Sequence, residues 1–166
     1  MADSKEFHTI IVTVLNRVGV VARVTGLFSA RGYNIENMIA APTETKDVYK
    51  IYIGITATEK EAEQVVKQLN KLIDTLKVAD ISHKNHYITR EFVLLRITCK
   101  KNRSEILELV NVFRAKTVDV TEDHITVDMS GPGKKVERFI ELVKPFGIEE
   151  LVRTGKLAIT ENDSEK

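Results

Sequence analysis

The sequence contains no tryptophan, a single cysteine and only three prolines, and 6% of its 166 residues are aromatic. Because Cys99 is alone, a disulfide within the chain is excluded, which is typical of proteins of a reducing compartment such as the cytoplasm. Cys99 also lies inside an apolar run, where we expect a buried, unreactive thiol and not a nucleophile. The few aromatic side chains leave little with which to stack on nucleic-acid bases.

An excess of charge of one sign is also lacking, and so is any apolar run long enough to cross a bilayer. The formal net charge is +1. The residues up to Ser82 include 10 basic and 10 acidic side chains, and the residues after it include 15 and 14. Neither half has the positive excess of a nucleic-acid-binding protein, and the first residues, MADSKEFHT, do not resemble a signal peptide. We therefore expect no nucleic-acid partner and no membrane partner.

The motifs of common active sites are missing too, because there is no G-x-S-x-G, no phosphate-binding P-loop and no H-E-x-x-H. The carboxylates are spread over predicted helix surfaces, and the glycines and proline at residues 131–133 are typical of a turn. His83 and His86 are three residues apart, but two histidines without further ligands nearby are weak evidence for a metal site. We expect no catalytic residue and no bound metal or cofactor on this chain.

The sequence does contain an alternation of strand-like and helix-like stretches that occurs twice. In the first half it predicts strands at residues 7–15, 33–41, 48–57 and 76–82, with one helix from Val20 and a second behind Thr58. Thr58 and Glu61 have the spacing of a capping box, and the apolar stripe of that second helix runs from Ala62 to Ile73. The order β-α-β-β-α-β is that of a ferredoxin-like unit.

The second half repeats this order. It predicts strands at residues 91–99, 117–121, 124–129 and 156–160, a helix capped by Ser104, a helix that ends before Pro145, and a helical turn at residues 151–154. We therefore predict an α+β protein with two ferredoxin-like βαββαβ domains, at residues 1–82 and 90–160. A linker at residues 83–89 joins them, and residues 161–166 form a frayed tail.

The turn that opens the first helix has the chemistry of a binding site. Asn16 suits a tight strand-to-helix turn, and Gly19 lets a ligand approach the main chain closely. The first helical amides, such as those of Val20 and Val21, have no partner within the helix, and with the helix dipole they favour a carboxylate. From the spacing alone, a plain strand–turn–helix that binds nothing is the favoured interpretation, because short turn motifs of this kind are weak evidence for a site. The second half has KKNRS at the equivalent place, so we do not expect it to bind a ligand in the same way.

Several segments together resemble one family. The segment NRVGVVARVTGLFSARGYNIENMIAAPTE is similar to the N-terminal motif of the regulatory small subunits of acetohydroxyacid synthase, also called acetolactate synthase. In that family the motif belongs to an ACT domain, a small βαββαβ module that binds amino acids. The segments VVKQLNKLIDTLKVADI, TREFVLLRI, FRAKTVDVTED and FIELVKPFGIEELVRTGKLAIT resemble the same family in the same order. The resemblance covers residues 7–160 and favours the binding interpretation of the turn.

The resemblance implies a non-catalytic subunit whose large catalytic partner carries thiamine diphosphate, Mg²⁺ and usually FAD. That enzyme condenses two 2-oxoacids, with decarboxylation, in the synthesis of branched-chain amino acids. The small subunit raises the activity of its partner and confers feedback inhibition by a branched-chain amino acid, most often valine. In this family the ACT domains pair as homodimers with the effector between them. The residues implied to bind it are Asn16, Gly19, Val20 and Val21 of one chain, and Asn34 and Ile35 on the facing strand of the other.

One residue departs from the family pattern. Position 18 is valine, where the family often has a proline before this glycine. Without the stiff proline ring the turn is expected to be looser and its affinity lower, although the main-chain amides remain. The side chain of Val18 is then available to pack on a partner subunit.

Three alternative functions stay open at this point. The chain fits a different amino-acid-sensing ACT protein that acts alone or on another enzyme. An RNA-recognition module has the same strand order, but neither half contains its K/R-G-F/Y-G/A-F-V-x-F/Y pattern. A small acylphosphatase-like enzyme of this fold would have Arg17 and Asn34 as its only candidate residues.

Overall fold

The structure, a computed structural model, describes residues 4–83 and 87–161. It divides into two compact units, of which the first extends to Tyr87 and the second comprises Ile88–Glu161. Each unit contains a βαββαβ arrangement with its own apolar core. This confirms the predicted α+β fold of two ferredoxin-like domains. In the two described ranges, no helix has the length and apolar character needed to span a membrane.

The first unit is an antiparallel four-stranded sheet with two helices against one face. Its elements are β1 (Glu6–Leu15), α1 (Val20–Ser29), β2 (Asn37–Pro42), β3 (Val48–Ala57), α2 (Glu59–Leu69) and β4 (Thr75–Asp80). The strand order is β2-β3-β1-β4, which places β1 at the centre. Strands β1 and β3 pair over their full length, from Glu6 opposite Ala57 to Leu15 opposite Val48.

Alternation along β1 decides which side chains form the core. Ile10, Val12 and Val14 are fully buried, because every second residue of a strand points to the same face. They pack with helix residues at the spacing that the sequence predicted, namely Val24 and Phe28 of α1 and Val65 and Leu69 of α2. The turn after Leu15 therefore joins a strand and a helix that each bury one face in the same core.

The structure corrects two predicted boundaries in this unit. Strand β2 begins at Asn37 and not at residue 33, because Gly32 adopts a left-handed φ of 71° and the chain then runs as a connection. Tyr33 and Ile35, which favour strands by propensity, pack against the core from this connection. Helix α2 ends at Leu69, so the end of its predicted stripe lies beyond the helix, and Ile73 is 86% exposed.

The second unit repeats the arrangement and adds one strand. Its elements are β5 (Tyr87–Thr98), α3 (Arg103–Phe113), β6 (Lys116–Val120), β7 (His124–Gly131), α4 (Gly133–Val143), a 3₁₀ helix (Lys144–Phe146), β8 (Ile148–Arg153) and β9 (Leu157–Thr160). The strand order is β6-β7-β5-β8, and β9 also pairs with β5. Cys99 is buried in the apolar core of this unit, as expected.

Three predicted features of the second half differ in the structure. The helical turn expected at residues 151–154 was wrong, because this stretch belongs to β8, where Leu151 lies opposite Leu95 of β5. Helix α3 begins at Arg103, so its N-cap is Asn102 and not Ser104. Strand β5 begins inside the predicted linker of residues 83–89. His86 and the last five residues of the predicted tail lie outside the described residues.

Candidate functional site

The turn between β1 and α1 is fixed by main-chain hydrogen bonds. The Asn16 N–H donates to the carbonyl oxygen of Asp47 at 2.8 Å, and the Arg17 N–H donates to that of Leu15 at 2.9 Å. Gly19 is the N-cap residue of α1 and has a left-handed φ of 83°. The position requires glycine for this conformation, because a side chain at positive φ is strained.

Some main-chain N–H groups at the start of α1 donate to carbonyl oxygens of the chain, and others have no acceptor in its described part. The Val20 N–H donates to the Arg17 carbonyl at 3.1 Å, and the Arg23 N–H closes the first helical turn onto Gly19 at 3.0 Å. The predicted amide of Val20 is therefore occupied in this structure. Among the residues that the structure describes, the N–H groups of Val21 and Ala22 have no acceptor. These two exposed amides are the donors that an anion can use.

The two helices of the first unit differ at their N-termini. Helix α2 is capped by its own residues, since Thr58 and Glu61 form the predicted capping box, with Thr58 N–H to Glu61 Oε2 at 2.8 Å and Glu61 N–H to Thr58 Oγ1 at 3.3 Å. Helix α1 has no side-chain cap and no acidic residue in its first turn. Its positive end is therefore left for a group from elsewhere.

A charged cluster that the sequence analysis missed lies beside this turn. The carboxylate of Asp74, with only 3% of the side chain exposed, receives the guanidinium of Arg23 and that of Arg17, the latter at 3.4 Å. The main-chain carbonyl oxygen of Asp74 also accepts a hydrogen bond from the Leu15 N–H at 2.9 Å, and this holds Asp74 against the end of β1. Two guanidinium groups against one carboxylate leave one net positive charge next to the free amides.

Arg23 lies in the first turn of α1, near the positive end of the helix dipole. A cation in the first turn of a helix is unfavourable with the helix dipole, and the carboxylate of Asp74 offsets that cost here. Arg23 reaches back over the turn, because a Cβ built on Gly19 would lie 3.1 Å from Arg23 Nη1. The partner Asp74 is 51 residues away in sequence, and no local pattern predicts that pair.

The other predicted binding residues lie in the connection between α1 and β2. Asn34 is exposed, whereas Ile35 is half-buried and packs on the core of its own unit. In the described part of the chain, no hydrogen bond joins Asn34 to the turn at Gly19. The prediction that these two regions meet across a dimer stays a prediction. Val18, at the tip of the turn, is fully exposed, at 101%.

The equivalent turn of the second unit has a different construction. Asn102, at the N-cap of α3, has a negative φ of −121°, and its side-chain amide donates to Glu105 Oε1 at 3.0 Å. The guanidinium of Arg103 donates to the carbonyl oxygen of Glu122 at 2.9 Å and binds the facing loop. This turn thus has an acidic first-turn residue of its own and no left-handed glycine.

Comparison with known proteins gives the same family for both halves. The family described as "AHAS small subunit-like ACT domain" matches residues 10–77, and the one described as "Small subunit of acetolactate synthase" matches residues 90–162. A protein of Archaeoglobus fulgidus named "Probable acetolactate synthase small subunit" is 46% identical over 92% of this chain and 95% of its own length. The acetolactate synthase small subunit of Bacillus subtilis is 43% identical over 95% of this chain and 92% of its own.

A solved structure shows the same likeness over both units. The crystal structure of the acetolactate synthase small subunit from Thermotoga maritima is 31% identical, with a TM-score of 0.83, and the match covers 93% of this chain and 97% of that one. The match in sequence extends through the turn at Gly19, the connection at Asn34 and the whole second unit. The chain belongs to the family of acetolactate synthase small subunits.

Proposed function

We propose that this chain raises the activity of a separate catalytic acetolactate synthase subunit and makes that activity sensitive to a branched-chain amino acid, with valine as the first candidate. The observation that carries the proposal is the start of α1, where two free amides and two arginines surround a left-handed glycine. The chain itself performs no catalytic step in this proposal. Thiamine diphosphate, Mg²⁺ and FAD belong to the catalytic partner, and both proteins work in the cytoplasm.

The three groups of valine need different surroundings. The carboxylate accepts hydrogen bonds from the N–H groups of Val21 and Ala22, with Asn16 and Gly19 forming the floor of the turn. The valine carboxylate also interacts favourably with the guanidinium of Arg23 at the start of α1. The Asn34 side chain can accept from the ammonium or donate to the carboxylate. An apolar side chain such as Ile35 encloses the isopropyl group.

The second half of the pocket comes from another copy of this chain. A homodimer through the ACT domains brings Asn34 and Ile35 of one chain against the turn of the other. The fully exposed Val18 supports this, because it offers apolar surface at the tip of the turn for the second chain to cover. A pocket built by two chains depends on how they pack, so valine can favour an inhibitory arrangement over an activating one. A coupling free energy of about 1–3 kcal/mol is typical of such regulation.

The proposal is tested by reconstitution with a catalytic subunit. Gly19→Asp places a negative charge and a strained side chain where the carboxylate must bind, so we expect activation to persist and valine inhibition to be lost. Gly26→Asp is the matched control, because it adds the same side chain to the same helix at a position with nothing within 4 Å. Inhibition that persists in Gly19→Asp, or that is equally lost in Gly26→Asp, would contradict the site.

Asn34→His tests the other half of the pocket. The residue is exposed and lies in a connection, so we expect the variant to keep its thermal unfolding transition and to lose sensitivity to valine. Loss of the transition would instead make Asn34 a structural residue. Calorimetric titration of the wild-type chain with valine, leucine, isoleucine and lysine then identifies the effector. We expect two binding sites per dimer, which is one site per chain.

A further inference from the structure

At the end of β1 away from the turn, the first unit brings together two histidines and two glutamates from three parts of the chain. Glu6 and His8 lie on β1, Glu59 is the first residue of α2, and His83 follows β4. The ligand atoms of His8, Glu59 and His83 all lie within 4.8 Å of one another. His83 Nε2 is 3.6 Å from a carboxylate oxygen of Glu59 and 3.7 Å from one of Glu6.

His8 is held as a metal-binding histidine usually is. It is buried, with 1% of its surface exposed, and its Nδ1 lies 2.8 Å from Asp80 Oδ2. That carboxylate is oriented in turn, because the Ser82 N–H donates to Asp80 Oδ1 at 2.9 Å. Ring orientation by a carboxylate on one nitrogen leaves the other nitrogen, Nε2, for an ion. No acceptor or donor for Nε2 occurs among residues 4–83 and 87–161.

The spacing of the remaining groups fits one ion. Bonds of about 2.0–2.2 Å to Zn²⁺ place neighbouring tetrahedral ligands about 3.3 Å apart. The separations of 3.6 and 3.7 Å around His83 Nε2 are close to this value. Glu59 and His83 are 75% and 59% exposed, so rotation of their side chains can close the remaining distance to His8. A cavity of about 150 Å³, lined by Ser4, Glu6, His8 and Glu59, leaves space beside three of the four groups.

We propose that His8, Glu59 and His83, together with Glu6, bind one divalent transition-metal ion of the Zn²⁺ type. Two imidazoles favour such an ion over Mg²⁺ or Ca²⁺, which prefer oxygen ligands alone. Two carboxylates neutralise its charge. The ion would connect the start of β1, the start of α2 and the segment after β4. This departs from the expectation of no metal on this chain, which rested on the pair His83 and His86; His8 lies 75 residues before His83, and no local sequence pattern joins the two.

The test compares exposed ligands with matched controls in the full-length, untagged protein after treatment with a chelator. Wild-type chain should bind one Zn²⁺ in calorimetric titration, and its unfolding temperature should rise with Zn²⁺, because the ion binds the folded state. His83→Asn and Glu59→Gln should each weaken Zn²⁺ binding about tenfold or more, since loss even of an outer partner of a ligand costs that much. Co²⁺ should give the intense visible absorption of a tetrahedral site in the wild type but not in His83→Asn or Glu59→Gln.

Two controls separate a site from general metal affinity. Glu63→Gln removes an exposed carboxylate one turn along α2, where it pairs with Lys67 at 2.8 Å. His124→Asn removes a histidine of the second unit that faces Glu149 at 3.2 Å. Both should bind Zn²⁺ as the wild type does. The proposal is overturned if the wild type binds no Zn²⁺, or if the two controls lose as much affinity as His83→Asn and Glu59→Gln, in which case His83 only forms ion pairs with the two glutamates.

Discussion

Gly19 and Gly26 are seven residues apart, and we expect substitutions at the two positions to have opposite effects on stability. Gly19 has a φ of 83°, whereas Gly26 lies inside α1 with nothing within 4 Å of an added Cβ. We expect Gly19→Ala to lower the free energy of unfolding by about 1–2 kcal/mol, the cost of a left-handed side chain. Gly26→Ala should raise it by about 0.5–1 kcal/mol through higher helix propensity. Urea denaturation of both variants measures the two changes, and a shift of the same sign in both would refute this assignment.

Arg23 and Asp74 should be coupled in stability. Arg23→Gln leaves the buried carboxylate with only the more distant Arg17, so we expect a loss of about 1–2 kcal/mol in the free energy of unfolding. In an Asp74→Asn background the same change should cost less, because no buried charge is left unpaired. Denaturation of the four proteins of this cycle gives the coupling.

An exposed pair provides the reference for that cycle. Arg138 and Glu141 form an ion pair at 3.0 Å on the surface of α4, with both side chains more than half exposed. Arg138→Gln should change stability by less than about 0.5 kcal/mol, as is usual for surface pairs. If Arg23→Gln also leaves the free energy of unfolding unchanged, the buried carboxylate of Asp74 does not need Arg23 as its partner.

At the residue scale, the features that local chemistry encodes were predictable from the sequence. Gly19 at a helix start and Thr58 with Glu61 as a capping box are patterns within a few residues, and the structure has both. The pairing of Arg23 with Asp74 was not predictable, because it depends on the fold bringing together positions 51 residues apart. The effector pocket itself was inferred from the family resemblance and stays a prediction.

At the scale of elements, the cap of α2 predicts a pH dependence. The hydrogen bond from the Thr58 N–H holds the pKa of Glu61 below its usual value. A carboxylate with a lowered pKa in the folded state stabilises it fully above the ordinary glutamate pKa of about 4.3, and this contribution is lost as the pH falls through the folded value.

Glu61→Gln removes the titrating group while keeping an acceptor for the Thr58 N–H. We expect the variant to be less stable than the wild type at neutral pH, and the difference to shrink below about pH 4.3. Urea denaturation over a series of pH values gives this difference. Glu63→Gln, which removes a surface carboxylate of the same helix, is the control. A gap between wild type and Glu61→Gln that widens in acid would show that the cap does not depend on the ionised form.

The elements that sequence reasoning assigned wrongly are those decided by contacts distant in sequence. Residues 151–154 have helix-forming glutamate and leucine nearby, but pairing with β5 makes the stretch a strand. Residues 33–36 look like a strand by propensity, but Tyr33 and Ile35 pack against the core from a connection and strand pairing starts only at Asn37. Both cases follow from tertiary context overriding local preference.

At the scale of the whole molecule, two similar units carry different turns. The first has a left-handed glycine and no acidic residue at the start of α1, whereas the second has Asn102 as its N-cap residue and an acidic first-turn residue, Glu105, which accepts from the Asn102 side chain. The fold alone therefore does not make a binding site, and the difference lies in the few residues that open each helix. In the proposed homodimer, one effector turn per chain, completed by a loop from the second chain, would give two equivalent pockets.

A pocket shared by two chains predicts that two insensitive variants complement each other. In a mixed dimer of Gly19→Asp and Asn34→His chains, one pocket carries both defects, while the other combines the intact turn of one chain with the intact loop of its partner. Random mixing should therefore restore about a quarter of all pockets. We expect partial valine inhibition to return when the two variants are unfolded, refolded together and added to the catalytic subunit. The variants refolded separately and then combined without exchange are the control. If each pocket instead belonged to one chain, every pocket would carry one defect, and the mixture would be as insensitive to valine as either variant alone.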